Sequence, residues 1–286
     1  MKANHQSLLQ AAATECGVSL ELRRVKHPAN FFAAHALLES ARRISEDAPS
    51  LVVDISAMPR DLALYLTDIL CGLVDRFYTL TFREVFFVVT PPETLTGRAG
   101  LGPFSVGTPR CVYQRELLRN PGSSLKTSML IFPGVEGFES RACIDLLPHT
   151  DAHRTVAVNC FDPTLPAALE LLIANQSILY DVIEHNAELQ YCFSEVDAFR
   201  VARETALRAV NLAREFRTMR HAFVIAPFGP KWSVIIASLA RAYFKEQCRE
   251  RARDTVTCSD VLLLPRSQYV SLYSRGSGVP RAFRLS

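Results

Sequence analysis

The chain has 286 residues, 49% of them hydrophobic and 21% charged, which excludes a disordered chain and allows one large domain or two fused ones. Its formal net charge of +3 is too small for an extended nucleic-acid-binding surface, so any basic site is local. Eight cysteines are scattered with no CxxC pair and no repeated spacing, which argues against a structural zinc site and for reduced thiols in a cytoplasmic protein.

The first residues, Met1 to Gln6, lead into a short mixed apolar run that lacks the apolar core of a signal peptide, so no export is expected. The most apolar stretch, Ala222 to Ala240, is broken by Gly229-Pro230-Lys231, and no membrane span is expected.

Along the chain, short β-branched runs alternate with segments of helical periodicity, the pattern of a parallel sheet with crossover helices. A first strand is expected near Val18 to Arg24, followed by a helix through Phe32, Leu37, Leu38 and Ala41. Leu51 to Ile55 reads as the second strand, and Pro59 then opens a helix whose buried stripe is Leu62, Leu66, Ile69 and Leu70. Val85 to Val89 is the third strand, and Pro91 to Pro109, rich in Gly, Pro and Thr, reads as a long functional loop. Met129 to Phe132 and Thr155 to Asn159 follow as strands, each with a helix after it. Residues 174–219 read as mostly helical, with a long amphipathic stretch from Val196 to Arg217. Ala222 to Ala226, a helix from Trp232 to Glu246 and a strand Val261 to Leu264 complete the pattern before a Gly- and Ser-containing tail.

The fold class is therefore α/β, Rossmann-like, with a mostly parallel sheet flanked by helices and a helical insertion. Residues 1–173 form the Rossmann-like α/β region, 174–219 the insertion or subdomain, and 220–286 complete the sheet and supply the tail.

In an open sheet of this kind a ligand lies outside the carboxyl ends of the strands, where loops converge and helix N-termini present unsatisfied N–H groups. Gly229-Pro230-Lys231 stands between a strand and a strong helix: glycine permits close backbone approach, and the lysine beside a positive helix end suits phosphate. The plain alternative is a tight turn with a solvated lysine; GxxxxGK[ST] is absent. Asp54 at a strand end, Ser56 as a helix-capping hydroxyl and Arg60 in the first helical turn form a second candidate, with bidentate anion recognition open to the arginine. Asp54 and Ser56 also suit the simpler role of satisfying backbone donors.

Glu136 and Glu139, in Gly134-Val135-Glu136-Gly137-Phe138-Glu139, are the candidates for acid-base or nucleophilic work, Glu139 first; a glutamate at a helix entrance also serves as a capping partner. Asn159 ends a strand on the same side, and Arg275, in Ser274-Arg275-Gly276, offers a further phosphate contact or belongs to a plain tail. His149, Asp151 and His153 lie in a polar loop with no fourth ligand, so no metal is expected, and no cofactor is specified. GxSxG and GxGxxG are both absent.

The units around Asp54-Ile55-Ser56 and Phe228-Gly229-Pro230-Lys231 resemble the Rossmann-like sensor domains of prokaryotic antiviral systems, of the CARF type. In that family a short polar loop ending in lysine contributes to binding cyclic oligonucleotides. The resemblance covers two motifs, and the family's more usual Gly-Gly-Thr-Lys is Gly-Pro-Lys here. It implies a sensor, with any effector supplied by a partner.

Three readings follow: a regulatory, defence-associated protein that binds a nucleotide or other phosphate-bearing ligand without turnover; a nucleotide-processing enzyme that cleaves an N-glycosidic or phosphoester bond with Glu139; and a scaffold subunit. In the first, Lys231, Arg60 and Arg275 meet phosphates while Asp54 or Asn159 meets a ribose or base. A protein partner or a homodimer is compatible with each.

Overall fold

The computed structural model of the chain describes residues 2–17, 30–43, 50–73, 82–90, 94–95, 110–113, 125–134, 154–160, 188–192, 194–217, 220–263, 274–275 and 279–285. Its main layer is a six-stranded sheet. The strands are β4 (Arg110–Cys111), β5 (Leu125–Phe132), β6 (Arg154–Cys160), β7 (Glu188–Cys192), β8 (Arg220–Pro227) and β9 (Thr257–Leu263). For this numbering the preceding strands are β1 (Ser50–Asp54), β2 (Glu84–Val89) and β3 (Thr94–Leu95), and the last two are β10 (Ser274–Arg275) and β11 (Arg281–Leu285).

The spatial order of the large sheet is β4-β9-β8-β5-β6-β7, parallel throughout except where β4 pairs with β9. From β5 the chain steps outward to β6 and β7, then returns to the other side of β5 for β8 and β9. The order thus reverses between β5 and β8. Both neighbours are buried over most of their length and carry apolar runs, Met129–Phe132 in β5 and Ala222–Ala226 in β8, as strands covered on both faces do.

Successive side chains alternate between the faces. Leu130, Phe132, Phe223, Ile225, Val261 and Leu263 belong to one buried cluster, together with α4 (Glu195–Glu215) and α5 (Ser233–Arg251). Met129, Ile131, Ala222, Val224, Ala226 and Leu262 form the cluster of the opposite face. α4 starts where Ser194 accepts a hydrogen bond from the Asp197 amide at 3.1 Å, with Glu195 and Asp197 in the positive first turn. Its buried stripe is largely alanine, at positions 198, 202, 206, 209 and 213, so it approaches α5 closely. Phe244 of α5 meets Phe223 of β8 at a ring separation of 5.2 Å.

A second layer is built from α2 (Phe31–Arg43), β1, α3 (Arg60–Leu70) and β2. β1 and β2 are parallel, and β11 joins the far side of β2 antiparallel, pairing Leu285 with Val85 and Arg281 with Val89. Val53, Ile55, Val85, Phe87 and Val89 are buried in the same cluster that holds α4 and α5, so one apolar core runs through both layers. α3 packs against α5, and Arg281 of β11 pairs with Glu195 of α4.

Several sequence expectations are corrected. Strands β1 and β2 belong to a three-stranded sheet of their own rather than to one common sheet. Residues 2–15, read only as a mixed run, form α1 (Lys2–Glu15). Within residues 174–219, expected as a helical insertion or subdomain, Glu188–Cys192 form β7 and α4 packs on the main sheet. The tail, for which no regular element was expected, supplies β11. The expected strand at 18–24 and the helices after β5 and β6 lie outside the described residues. Among the described residues no helix is long and apolar enough to cross a membrane.

Phe223→Ala removes a fully buried ring from the middle of the sheet and is expected to lower unfolding stability by about 3–5 kcal/mol, read from denaturant unfolding. The free thiols make a chemical prediction. Burial pushes Cys71 up to about 12, with Asp68 adding to the shift, and pushes Cys192 and Cys258 up to about 11. Raised thiol pKa values leave these groups protonated and poorly nucleophilic at pH 8, whereas Cys16 is exposed. Mass spectrometry of native protein treated with a maleimide should show Cys16 labelled well before the other three.

Candidate functional site

The site forms where the carboxyl end of β1 faces the reversal point between β5 and β8. Main-chain bonding sets the first loop. The Ile55 amide donates to the Val88 carbonyl, extending the pairing with β2, and the Met58 amide donates back to the Ile55 carbonyl at 3.2 Å, closing a turn. Pro59 sits at φ −57° as the residue before α3, a geometry its ring favours.

Asp54 and Ser56 stabilise that loop. Asp54 Oδ1 accepts the Ser56 amide at 2.8 Å and the Ser56 hydroxyl at 2.5 Å, and Ser56 Oγ accepts the Thr90 amide at 2.7 Å. The serine therefore ties the end of β1 to the end of β2 and does not cap α3, whose N-cap position is Pro59. The simpler of the two sequence readings of this pair accounts for these bonds, because both side chains satisfy backbone donors.

The second loop follows β8. Gly229 is packed so tightly against the end of β5 that a Cβ would stand 3.1 Å from the Pro133 carbonyl oxygen and 3.3 Å from Phe132 Cβ. Trp232 seats its ring edge-on to Phe132 at 6.4 Å. The Ser233 and Val234 amides donate to the Pro230 and Lys231 carbonyls, so a tight turn leads directly into α5. Ser233 is wholly buried, and its hydroxyl has no hydrogen-bond partner among the described residues.

The two loops exchange side chains. Arg60, the first residue of α3, reaches across to the β8 loop and donates to the Pro227 carbonyl and, at 2.8 Å, to the Gly229 carbonyl. Lys231 reaches the other way and donates to the Met58 carbonyl. Both cations are half-buried. Each stands near the positive end of a helix, α3 or α5, where a cation is electrostatically unfavourable. Two helix ends and two cations thus converge at one place, and an anion is the group that this potential attracts.

Of the residues expected from sequence, the structure brings together Asp54, Ser56, Arg60, Gly229 and Lys231. Asn159 lies near the carboxyl end of β6, opposite Tyr191 and on the same edge as Pro133. Arg275 lies in β10, opposite Thr94 of β3, so the tail returns to the loop that follows β2. The side chains of Asn159 and Arg275 fall outside the described residues, as do Glu136, Glu139, His149, Asp151 and His153 entirely.

Sequence reading did not assign an acceptor role to the carbonyls of Met58, Pro227 and Gly229, since every residue carries a carbonyl and only the fold selects which are used. It also missed Ser233 and Asp61, the latter buried in the first turn of α3 with its Oδ1 accepting the Leu62 amide. An acid immediately after Arg60 was the one visible signal.

No protein-family model matches the chain, and a comparison with curated proteins gives no match.

Gly229→Ala tests the close approach. Gly229 lies outside the positive-φ glycines, so the strain is steric and falls on backbone atoms of the β5 end. A loss of about 1 kcal/mol in unfolding stability is expected, with a larger loss for Gly229→Val.

Proposed function

We propose that the chain is a Rossmann-like regulatory protein that binds a nucleotide or another phosphate-bearing ligand at the loops after β1 and β8. The observation that carries this reading is that Arg60, at the start of α3, and Lys231, in the turn before α5, each reach the other's loop at the reversal of strand order. In open α/β sheets that reversal is where ligands bind. Support for the Rossmann-like description comes from the order β7-β6-β5-β8-β9, which is 3-2-1-4-5 when these strands are numbered as they occur.

The chemistry favours recognition. Arg60 offers a planar fork and Lys231 a mobile point charge, the two complementary ways of holding a phosphate group. Both donate to carbonyl oxygens, and a phosphate oxygen is a stronger acceptor for the same donors. Asp54, exposed and tied to its turn through Oδ1, leaves Oδ2 for a sugar hydroxyl. The CARF-like motifs place cyclic oligonucleotides among the ligands to be tried, and a cytoplasmic sensor of this kind would act through a partner or a second copy of itself.

Thermal unfolding of the full chain should be followed with inorganic phosphate, mono- and dinucleotides and cyclic oligonucleotides. A ligand at a hundred times its Kd adds about 2.7 kcal/mol and raises the midpoint. Lys231→Ala and Arg60→Ala should each abolish the shift, and rising salt should weaken it. If no compound in the panel moves the wild-type midpoint, the reading is wrong.

A further inference from the structure

We propose that a buried cluster of Asp68, Arg241 and Tyr113 is the positioning device of this anion site, fixing the separation of the loops that carry Arg60 and Lys231. The inference rests on the reading of those loops as an anion site.

The side chain of Asp68 is wholly buried and that of Arg241 is 4% exposed, and Arg241 Nη1 lies 2.5 Å from Asp68 Oδ2. The Tyr113 hydroxyl donates to the same oxygen. Arg241 also lies over the Tyr113 ring, its guanidinium carbon 3.4 Å from the centroid. Burial, with Asp68 next in effect, pushes the Tyr113 phenol well above its ordinary range, so it keeps the proton it donates. Tyr113 is itself anchored: Asp260 Oδ1, fully buried in β9, accepts the Val112 amide at 2.9 Å and the Tyr113 amide at 3.0 Å. One polar chain therefore joins α3, α5, the residues after β4 and strand β9.

The cluster is a poor device for stability alone. Asp68 Oδ1 and Arg241 Nε are buried with no hydrogen-bond partner among the described residues. A buried ion pair left partly unsatisfied gains little over well-packed apolar side chains of similar volume. What it supplies, and apolar packing does not, is a fixed register between two helices.

Its location says what that register controls. Asp68 lies eight residues after Arg60 in α3, and Arg241 lies eight residues after Ser233 in α5. Each is about two turns, roughly 12 Å, from the helix end that carries a site loop. The helices are pinned at equal depth, and any slide or rotation at the pin moves Arg60 relative to Lys231.

The test measures the Kd of inorganic phosphate for the full chain at constant ionic strength, at a temperature where every variant is folded. Asp68→Asn and Tyr113→Phe are compared with Met129→Ala, which truncates a buried side chain on the opposite face of the main sheet and controls for lost stability. Both cluster variants should raise the Kd about tenfold, while Met129→Ala should change it less than about twofold at a similar fall in midpoint. If the cluster variants bind phosphate as Met129→Ala does, the cluster is a stabilising contact only and the proposal is overturned. Should Asp68→Asn not fold, Tyr113→Phe, which keeps the ring over Arg241 and removes one hydroxyl, decides the matter alone. Absence of phosphate binding by the wild type would overturn the anion site and this proposal together, whereas normal wild-type binding with unchanged variants would overturn only the positioning role.

Discussion

Strand β8 is covered on both faces, and the rest of the molecule is arranged to meet that demand. Phe223 and Ile225 face α4 and α5, Ala222, Val224 and Ala226 face the other way, and β5 and β9 pair along its two edges. A strand with no wet side has no freedom of register, because a slip of one residue would exchange its two apolar faces and break both ladders. The loop at its end inherits this rigidity. Gly229 is wedged against the end of β5, and the two carbonyls that receive Arg60 are presented by backbone that has nowhere to move.

Much of this was legible beforehand. Strands buried on both faces announce themselves as apolar runs, so β5 and β8 were evident, and the Pro59 entry into α3 and the Gly229-Pro230-Lys231 entry into α5 could be read from residue type. Strands whose stability comes from position were not legible. β7, with Glu188, Gln190 and Tyr191 among its five residues, reads as polar chain and becomes a strand only because β6 offers an edge. β11 carries Arg281 and Arg284 beside Phe283 and Leu285, with no clean alternation, and depends in the same way on β2. α1 carries little of the two-sided pattern that marks a packed helix.

The candidate site divides along the same line. Which residues would gather was readable, since all lie just after strands and the carboxyl edge of a sheet collects such loops. How they would be engaged was not. Arg60 and Lys231 were natural phosphate ligands on paper, and the fold gives each a carbonyl partner in the opposing loop. The buried acids follow the same rule. Asp68 stands among apolar residues of α3, and Asp260 directly before the apolar end of β9, Val261 to Leu263. Their partners, Arg241 and Tyr113 in one case and two backbone amides in the other, are distant in sequence.

The pairing of β11 with β2 bears on how the chain reaches this state. Leu285 meets Val85 across roughly 200 residues, so the small sheet is completed by a contact that closes nearly the whole polypeptide into a loop. Loop-closure entropy grows only logarithmically with length, so the finished structure bears this easily, but contacts of such separation slow the search that finds them. During synthesis β1 and β2 emerge well before Arg281–Leu285 and lack their third strand until that segment has been made. The edge of β2 is for that interval an open ladder, and the closing of the tail over it is the event that turns an aggregation-prone nascent chain into a protected one.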